Sequence, residues 1–303
     1  MSFTYENSFS VRRPRLKDSG LAHYFRPTDL GLALDWLSDN EARVAAGCTD
    51  LLAATTAPQL SGPVLDVTAI QNLRGISKDD RYWRFGATTT WTDVIRADLP
   101  PAFDSLKLAA REVGSQQIQN AGTLAGNLCN ASPAADGVPC WLTLDAQIEL
   151  KSKHTTRVLP LSSFLNGPRQ TELATDEIVS AILVPQTSAG GRSSFLKFGA
   201  RKYLIISIAM VAARITENRG VVSEIAISVG SCGAVATRLT ELEAALNGQP
   251  LLGIETRITD VMIENAIDPI DDLRSDAVSR KIAASELVRR CIASLGQDPV
   301  ASA

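Results

Sequence analysis

The segment from Gln117 to Asp136, QIQNAGTLAGNLCNASPAAD, constrains this chain more than any other part of it. It crowds small and amide side chains into one short run whose sole charged residue is its last, so neither a solvated loop nor an ordinary core helix accounts for it. Gly122, Ala125 and Gly126 permit close approach of another group, and glycine adopts backbone angles that expose successive N–H groups to an anion. Thr123, Asn127, Asn130 and Ser132 add neutral polar groups. Such a surface suits a polyphosphate or pyrophosphate held by dipoles in place of lysine. For any single glycine, a tight turn in a Gly-rich segment explains the sequence as well. The whole run is less easily explained that way, because VAAGCTDLL (Val44 to Leu52) repeats the pattern upstream: an apolar strand run, a small-residue turn, then Thr49 and Asp50 opening a predicted helix over LLAAT. Neither segment fits the G-x-G-x-x-G or the G-x-x-x-x-G-K-[ST] pattern, so the common nucleotide folds are not supported.

The pair of segments resembles the FAD-binding (medium) subunit of the molybdenum hydroxylases, the xanthine dehydrogenase and carbon monoxide dehydrogenase family. That family's two flavin motifs read roughly A-G-G-T-D-L and A-T-x-G-G-N-[LI]-x-x-x-S-P-x-x-D-x-x-P. Here they stand as Ala46-Gly47-Cys48-Thr49-Asp50-Leu51 and as Gly122-Thr123-Leu124-Ala125-Gly126-Asn127-Leu128, followed by Ser132-Pro133 and Asp136. The likeness continues in VLDVTAIQNLRGI, DAQIELKSKHTTRVLPLSSFL, DEIVSAILVP and FLKFGARKYLIISIAMVAARI, and so covers most of the chain. Two departures stand out: Cys48 and Ala125 each replace a motif glycine, adding a side chain where backbone approaches phosphate. The polar run that relatives carry after the linker reads Arg201-Lys202-Tyr203-Leu204-Ile205-Ile206-Ser207, which removes its aspartate.

The resemblance implies an α+β chain: a two-subdomain FAD-binding domain of the vanillyl-alcohol-oxidase-like type, then a small α+β C-terminal domain. It implies FAD on this chain, with molybdopterin and [2Fe–2S] clusters on separate large and small partner subunits, and NAD or another acceptor downstream. The implied contacts are the backbone of Val44, Ala45, Ala46, Gly47, Cys48, Thr49, Asp50 and Leu51, and that of Thr123, Ala125, Gly126 and Asn127, at the pyrophosphate. Asp136 is implied to bond a flavin-side or ribose hydroxyl, and Val179 and Lys197 to contact the isoalloxazine end. Read from the residues alone, Val179 is equally a core strand residue, Lys197 a surface lysine lying along apolar neighbours, and Tyr203 a core or interface residue instead of a cover on the flavin.

Bulk properties agree with a cytoplasmic subunit. A length of 303 residues suggests about two domains, and a net charge of −3 points to neither nucleic acid nor a strongly acidic surface as partner. No apolar run reaches the roughly 20 residues that span a bilayer, and MSFTYENSFSVRRPRLKDSG lacks the apolar stretch of a secretory signal. This N-terminus reads as an arm over residues 1–20, with Arg12, Arg13, Arg15 and Lys17 solvated or docked on an acidic partner. The five cysteines are scattered, with no C-x-x-C pair, so disulfides, a metal site and the Cys₄ sets of iron–sulfur clusters are not expected on this chain. His23 and His154 lie far apart and read as surface residues, and no nucleophile elbow or zinc-protease motif appears. Without evident acid–base residues, a redox cofactor is the natural carrier of chemistry.

Periodicity predicts a helix over Thr28 to Asp39, strands at ARVAAG, PVLDV and RYWRFGA, and helices at TWTDVIRAD and AFDSLKLAAREVG around Pro100 and Pro101. QIELKS and TRVLPL predict a hairpin, and EIVSAILVP closes a first domain over residues 21–187. Gln186 to Ser194, QTSAGGRSS, reads as a linker. Beyond it, in a second domain over 194–297, FLKFGA, IAMVAARIT and EIAISVGS predict a three-stranded antiparallel sheet. TRLTELEAALNG predicts a helix capped by Thr237, and SDAVSRKIAASELVRRCIASLG a longer one. Two other readings stay open beside the flavin electron-transfer subunit: a flavin-free scaffold, favoured only by Cys48 and Ala125, and a self-sufficient flavin oxidase, disfavoured by the lack of acid–base and covalent-attachment residues.

Overall fold

The computed structural model describes residues 23–55, 60–200 and 206–296. The arm at residues 1–20 and Tyr203 lie outside the described residues. The chain begins with a small parallel sheet. Strand β1 (Tyr24–Phe25) is followed by helix α1 (Leu30–Asp39), β2 (Arg43–Ala45) and β3 (Val64–Asp66), with β3 in the middle. Helix α1 starts where Asp29 accepts a hydrogen bond from the Leu32 N–H (3.0 Å), and buries Ala33, Leu34 and Leu37 over β3. The helix expected from Thr49 is instead a series of turns over residues 49–54. Among the described residues only isolated bonds of helical type form there, from Leu52 N–H to the Cys48 carbonyl (3.2 Å), from Ala54 N–H to that of Asp50 (2.9 Å) and from Thr55 N–H to that of Leu52 (3.2 Å).

A five-stranded sheet follows, ordered β4-β5-β10-β6-β7 from β4 (Ile76–Lys78), β5 (Tyr82–Gly86), β6 (Gln147–Lys151), β7 (Thr156–Pro160) and β10 (Ile178–Pro185). The middle strand is the last in sequence. Its run IVSAILV is buried throughout, as expected of a strand covered on both faces. Between β5 and β6 lie five short helices: α2 (Trp91–Arg96), α3 (Asp104–Glu112), α4 (Gln116–Ala121), α5 (Leu124–Asn130) and α6 (Gly137–Thr143). Helix α2 opens on a reciprocal cap in which Thr90 and Asp93 each satisfy the other's backbone N–H. Helix α7 (Leu161–Phe164) and the small hairpin of β8 (Leu165–Gly167) and β9 (Gln170–Thr171) lead back to β10.

The C-terminal domain is one antiparallel sheet, β11 (Arg192–Phe198), β12 (Ala209–Asn218), β13 (Val221–Gly230) and β14 (Thr237–Arg238) in that order, backed by α8 (Thr240–Leu246), α9 (Asp260–Glu264) and α10 (Ala277–Gly296). The sheet therefore has four strands, not the expected three, and Thr237 is not a helix cap. Thr237 pairs with Val229 in the fourth strand, and α8 begins three residues later, after buried Leu239. Arg238 fixes that strand end through Glu243 of α8, the Leu142 carbonyl and Asp145.

Strict alternation along β12 joins the two domains. Met210 and Ala212 face the cluster that holds Phe85, Phe103 and Trp141, while Ala209, Val211, Ala213 and Ile215 face α8 and α10. Helix α6 is wholly buried at this junction. Just past it Asp145, at φ +49°, accepts from Ser188 (2.8 Å) and Arg238 (2.9 Å) and lies 3.5 Å from the fully buried Arg214. Asp145→Asn keeps a residue that tolerates left-handed backbone while removing the charge shared by both arginines. Because Asp145 is half exposed and Glu224 still neutralises Arg214, the expected loss is about 1–2 kcal/mol, measured as a lower denaturant midpoint with unchanged slope.

Candidate functional site

Backbone meets backbone where the two Gly-rich segments touch. A Cβ placed on Gly47 would lie 2.0 Å from the Ala121 carbonyl oxygen and 2.9 Å from the Gly122 Cα, so the first turn packs directly on the end of α4. Gly126 is needed for another reason. A Cβ there would come within 2.7 Å of the Thr123 hydroxyl, which caps α5 by accepting from the Gly126 N–H (3.1 Å). Both glycines thus serve contacts inside the protein.

The two segments treat their N–H groups differently. In the second, the N–H groups of Leu124, Ala125 and Asn127 donate to the carbonyls of Thr89, Ala87 and Thr123, and that of Gly126 to the Thr123 hydroxyl. Of the N–H groups from Thr123 to Asn127 expected at a phosphate, all but that of Thr123 thus have acceptors within the protein. In the first, the successive N–H groups of Gly47, Cys48, Thr49 and Asp50 have no acceptor among the described residues. Cys48, at φ +56°, turns the chain so that these donors lie on one short bend, a geometry that favours an anion.

This bend opens into a cavity of about 310 Å³ lined by Val44, Ala46 to Leu51, Thr123, Gly126 and Asn127, with Trp91 from α2 beneath. Thr49, Asp50, Asn127 and Asn130 also line a larger cavity of about 990 Å³ that runs between the two domains to Asp136, Ser207, Ser231 and Arg280. Together they form an elongated cleft. Asn127 carries a buried Oδ1 without a hydrogen-bond partner among the described residues. Asp136 closes the far wall, accepting from Lys197 Nζ (2.9 Å) and Ser207 Oγ (2.7 Å). Burial pushes its carboxyl up, against the pull of Lys197 and Ser207.

Of the expected site residues, the structure brings Val44, Ala46 to Leu51, Thr123, Gly126, Asn127 and Asp136 to the cleft. Ala45 and Ala125 are buried beneath it, and the Ala125 methyl lines neither cavity. Val179 is a core residue of β10 away from both cavities, so its side chain serves packing. Lys197 stands behind Asp136. Trp91 and Ser207 were not read from the sequence as site residues. Trp91 had a signal in its capping box, which marks a helix start but not what lies above it. Ser207 had none.

The Cys48 thiol is pushed up by burial and by the nearby charge of Asp66. It is therefore neutral at physiological pH, the reverse of an activated thiolate at a helix start.

Comparison with known proteins places this arrangement. Residues 17–187 match the family described as FAD binding domain in molybdopterin dehydrogenase, and residues 194–295 match the CO dehydrogenase flavoprotein C-terminal domain. The chain belongs to this family and is an FAD subunit of a molybdenum hydroxylase, an oxidoreductase. It is 31% identical over 242 residues to the nicotinate dehydrogenase FAD-subunit of Eubacterium barkeri, covering 75% of this chain and 80% of that one. To the nicotine 6-hydroxylase medium subunit of Paenarthrobacter nicotinovorans it is 27% identical, across 90% of this chain and 96% of the other. Among solved structures it superimposes on a chain of the carbon monoxide dehydrogenase of Hydrogenophaga pseudoflava, in the form that lacks the Mo-pyranopterin moiety. That match has a TM-score of 0.82 and 26% identity, covering 91% and 97% of the two chains.

FAD fits the residues present. The unused donors of Gly47 to Asp50 suit its pyrophosphate, and the cleft offers length for an extended dinucleotide. Cys48→Gly is expected to keep FAD content and to leave the melting temperature equal or slightly higher. Relief of left-handed backbone is worth about 1–2 kcal/mol, against about 0.5–1 kcal/mol for the added freedom of the unfolded chain. Gly47→Ala drives a methyl into the Ala121 carbonyl. It should shed most of the FAD, read as the flavin-to-protein absorbance ratio, while the circular dichroism spectrum of the fold remains.

Proposed function

We propose that this chain is the electron-transfer subunit of a three-part molybdenum hydroxylase: it receives electrons from a [2Fe–2S] small subunit and delivers them to NAD or another acceptor, while a molybdenum-pterin large subunit oxidises the organic substrate. The observation that carries this reading is the cleft, which joins an anion-binding bend to a polar wall across two domains. The relatives support it by name, as FAD or medium subunits. Also part of the reading are the division into arm 1–20, FAD-binding domain 21–187 and C-terminal domain 194–297, and a cytoplasmic site of action. No described helix is long and apolar enough to cross a membrane.

In this scheme the N–H groups of Gly47 to Asp50 bind the pyrophosphate, and the Thr49 hydroxyl is placed to add a donor. Trp91 supports the small cavity from below. Asp136, with Lys197 behind it and Ser207 beside it, walls the far end of the large one. Bound FAD would supply two-electron storage, filled in single steps. A flavin-free scaffold is less well supported, since with Cys48 in the bend the N–H groups of Gly47 to Asp50 still have no acceptor among the described residues, and Ala125 is buried in the core.

The purified chain is expected to bind one FAD without a covalent link and to be bleached by dithionite. Mixed with purine, N-heterocycle or aldehyde substrates, it should leave the flavin oxidised until the large and small subunits are added. Substrate-dependent bleaching of the flavin absorption band in the isolated chain would overturn the proposal.

A further inference from the structure

Four elements bring polar groups to the far wall of the large cavity. Glu112 ends α3, Asp136 precedes α6, Lys197 lies on β11, and Ser207 leads into β12. Lys197 Nζ donates to Asp136 Oδ2 (2.9 Å) and to the Glu112 carbonyl oxygen (3.4 Å), and stands 4.0 Å from Glu112 Oε2. Ser207 Oγ donates to Asp136 Oδ1 (2.7 Å). The Lys197 and Asp136 side chains are 8% and 10% exposed, so the pair is held away from solvent. Glu112, Asp136 and Ser207 line the cavity, whereas Lys197 does not. An ammonium is therefore bound to the rear of a carboxylate whose front faces the cleft. Each Asp136 oxygen keeps a lone pair beyond the one already used.

We propose that Lys197 is a positioning residue that acts on bound FAD through Asp136, fixing the aim and the ionisation of the carboxylate that the cofactor meets, so that the lysine–carboxylate pair sets how strongly reduced FAD is held relative to oxidised FAD. The inference rests on the placement of FAD in this cleft. Two carboxylates and one ammonium leave a single net negative charge at the wall. Reduction adds negative charge to a flavin at neutral pH, so each change in wall charge shifts the balance between its two redox states.

Lys197→Met leaves two negative charges while Asp136 is ionised. Burial raises the Asp136 carboxyl, Lys197 and Ser207 oppose this, and Glu112 raises it further; removing Lys197 leaves the upward influences less opposed. In the variant, Asp136 takes up a proton as pH falls through its raised value, and the wall returns to one net charge. The effect of the substitution is thus present in alkali and lost in acid. Among the described residues, the groups facing Asp136 are Lys197, Ser207, Glu112 and the Cys140 thiol, which burial keeps neutral.

The test is an anaerobic titration of the full-length apoprotein with oxidised and with dithionite-reduced FAD, at a neutral and at an acid pH, because burial raises the Asp136 carboxyl. Each variant is compared with wild type at the same pH. At the higher pH, Lys197→Met should weaken reduced relative to oxidised FAD roughly tenfold, equivalent to about 30 mV for a two-electron couple, and most of the difference should vanish at the lower pH. Asp136→Asn should shift the ratio in the opposite direction. The double variant, back at one net charge, and Lys197→Arg should both return to within about threefold of wild type. Because the ratio is taken from titrations, weaker overall binding does not obscure it. A Lys197→Met shift that is equal at both pH values and survives in the Asp136→Asn background would overturn the inference, as would an unmoved ratio in all variants. Failure of the wild-type chain to bind FAD would instead bring down the placement of the cofactor, and this inference with it.

Discussion

The cleft depends on the contact of two main chains without side chains between them. Gly47 lies against the Ala121 carbonyl, at a separation that no Cβ tolerates. That approach holds the first turn on the end of α4, and α4 is continuous with the capped start of α5 at Thr123. Thr123 in turn bridges to Thr90, where the capping box of α2 sets the position of Trp91. The small parallel sheet, which also shares an apolar cluster with Ile178 of the five-stranded sheet, is thereby tied to the helices that follow β5. The result leaves four successive N–H groups at the rim of a cavity instead of folded into an element.

Much of this was legible in the sequence, because glycine placement and strand periodicity are local signals. ARVAAG, RYWRFGA, the hairpin from Gln147 and the long apolar run from Ile178 all form strands, and the amphipathic tail forms α10. Thr237 went the other way: a threonine before a helical pattern reads as a cap, but it pairs with Val229, and nothing in the residues of the helical pattern marks that strand partner. The donors of Leu124 and Ala125 are spent on Thr89 and Ala87, more than thirty residues upstream, whereas those of Gly126 and Asn127 are spent locally on Thr123. Val179 carries the side chain of a core strand residue, and the core is where it lies. Ser207 and the partnership of Lys197 with Asp136 become visible only when the second domain is folded against the first.

Electrostatics at the domain junction is organised around the two ends of α6. Before its first residue, Asp136 is held by Lys197 and Ser207 of the C-terminal domain. At its other end, the carbonyls of Leu142 and Thr143 in its last turn and the carboxylate of Asp145 beyond it meet Arg238 and Arg214. Since α6 itself is apolar and fully enclosed, these polar ends give an otherwise greasy contact a unique setting. The cavity wall at Asp136 and the salt-bridged corner at Asp145 are consequently linked through one buried helix.

The position of β10 has a consequence for how the protein is made. This strand lies between β5 and β6, yet it is the last of its sheet to leave the ribosome. Until it emerges, the flanking strands are two separate pairs with open edges, β4 with β5 and β6 with β7. Insertion of β10 closes contacts that span nearly a hundred residues, from Ala181 back to Gly86, which makes it a slow, non-local step. The C-terminal domain follows within a few residues, and its β12 contributes Met210 and Ala212 to the first domain's core. During synthesis, the first domain therefore passes through an interval with an incomplete sheet and an uncovered junction, and that interval ends only as the second domain appears.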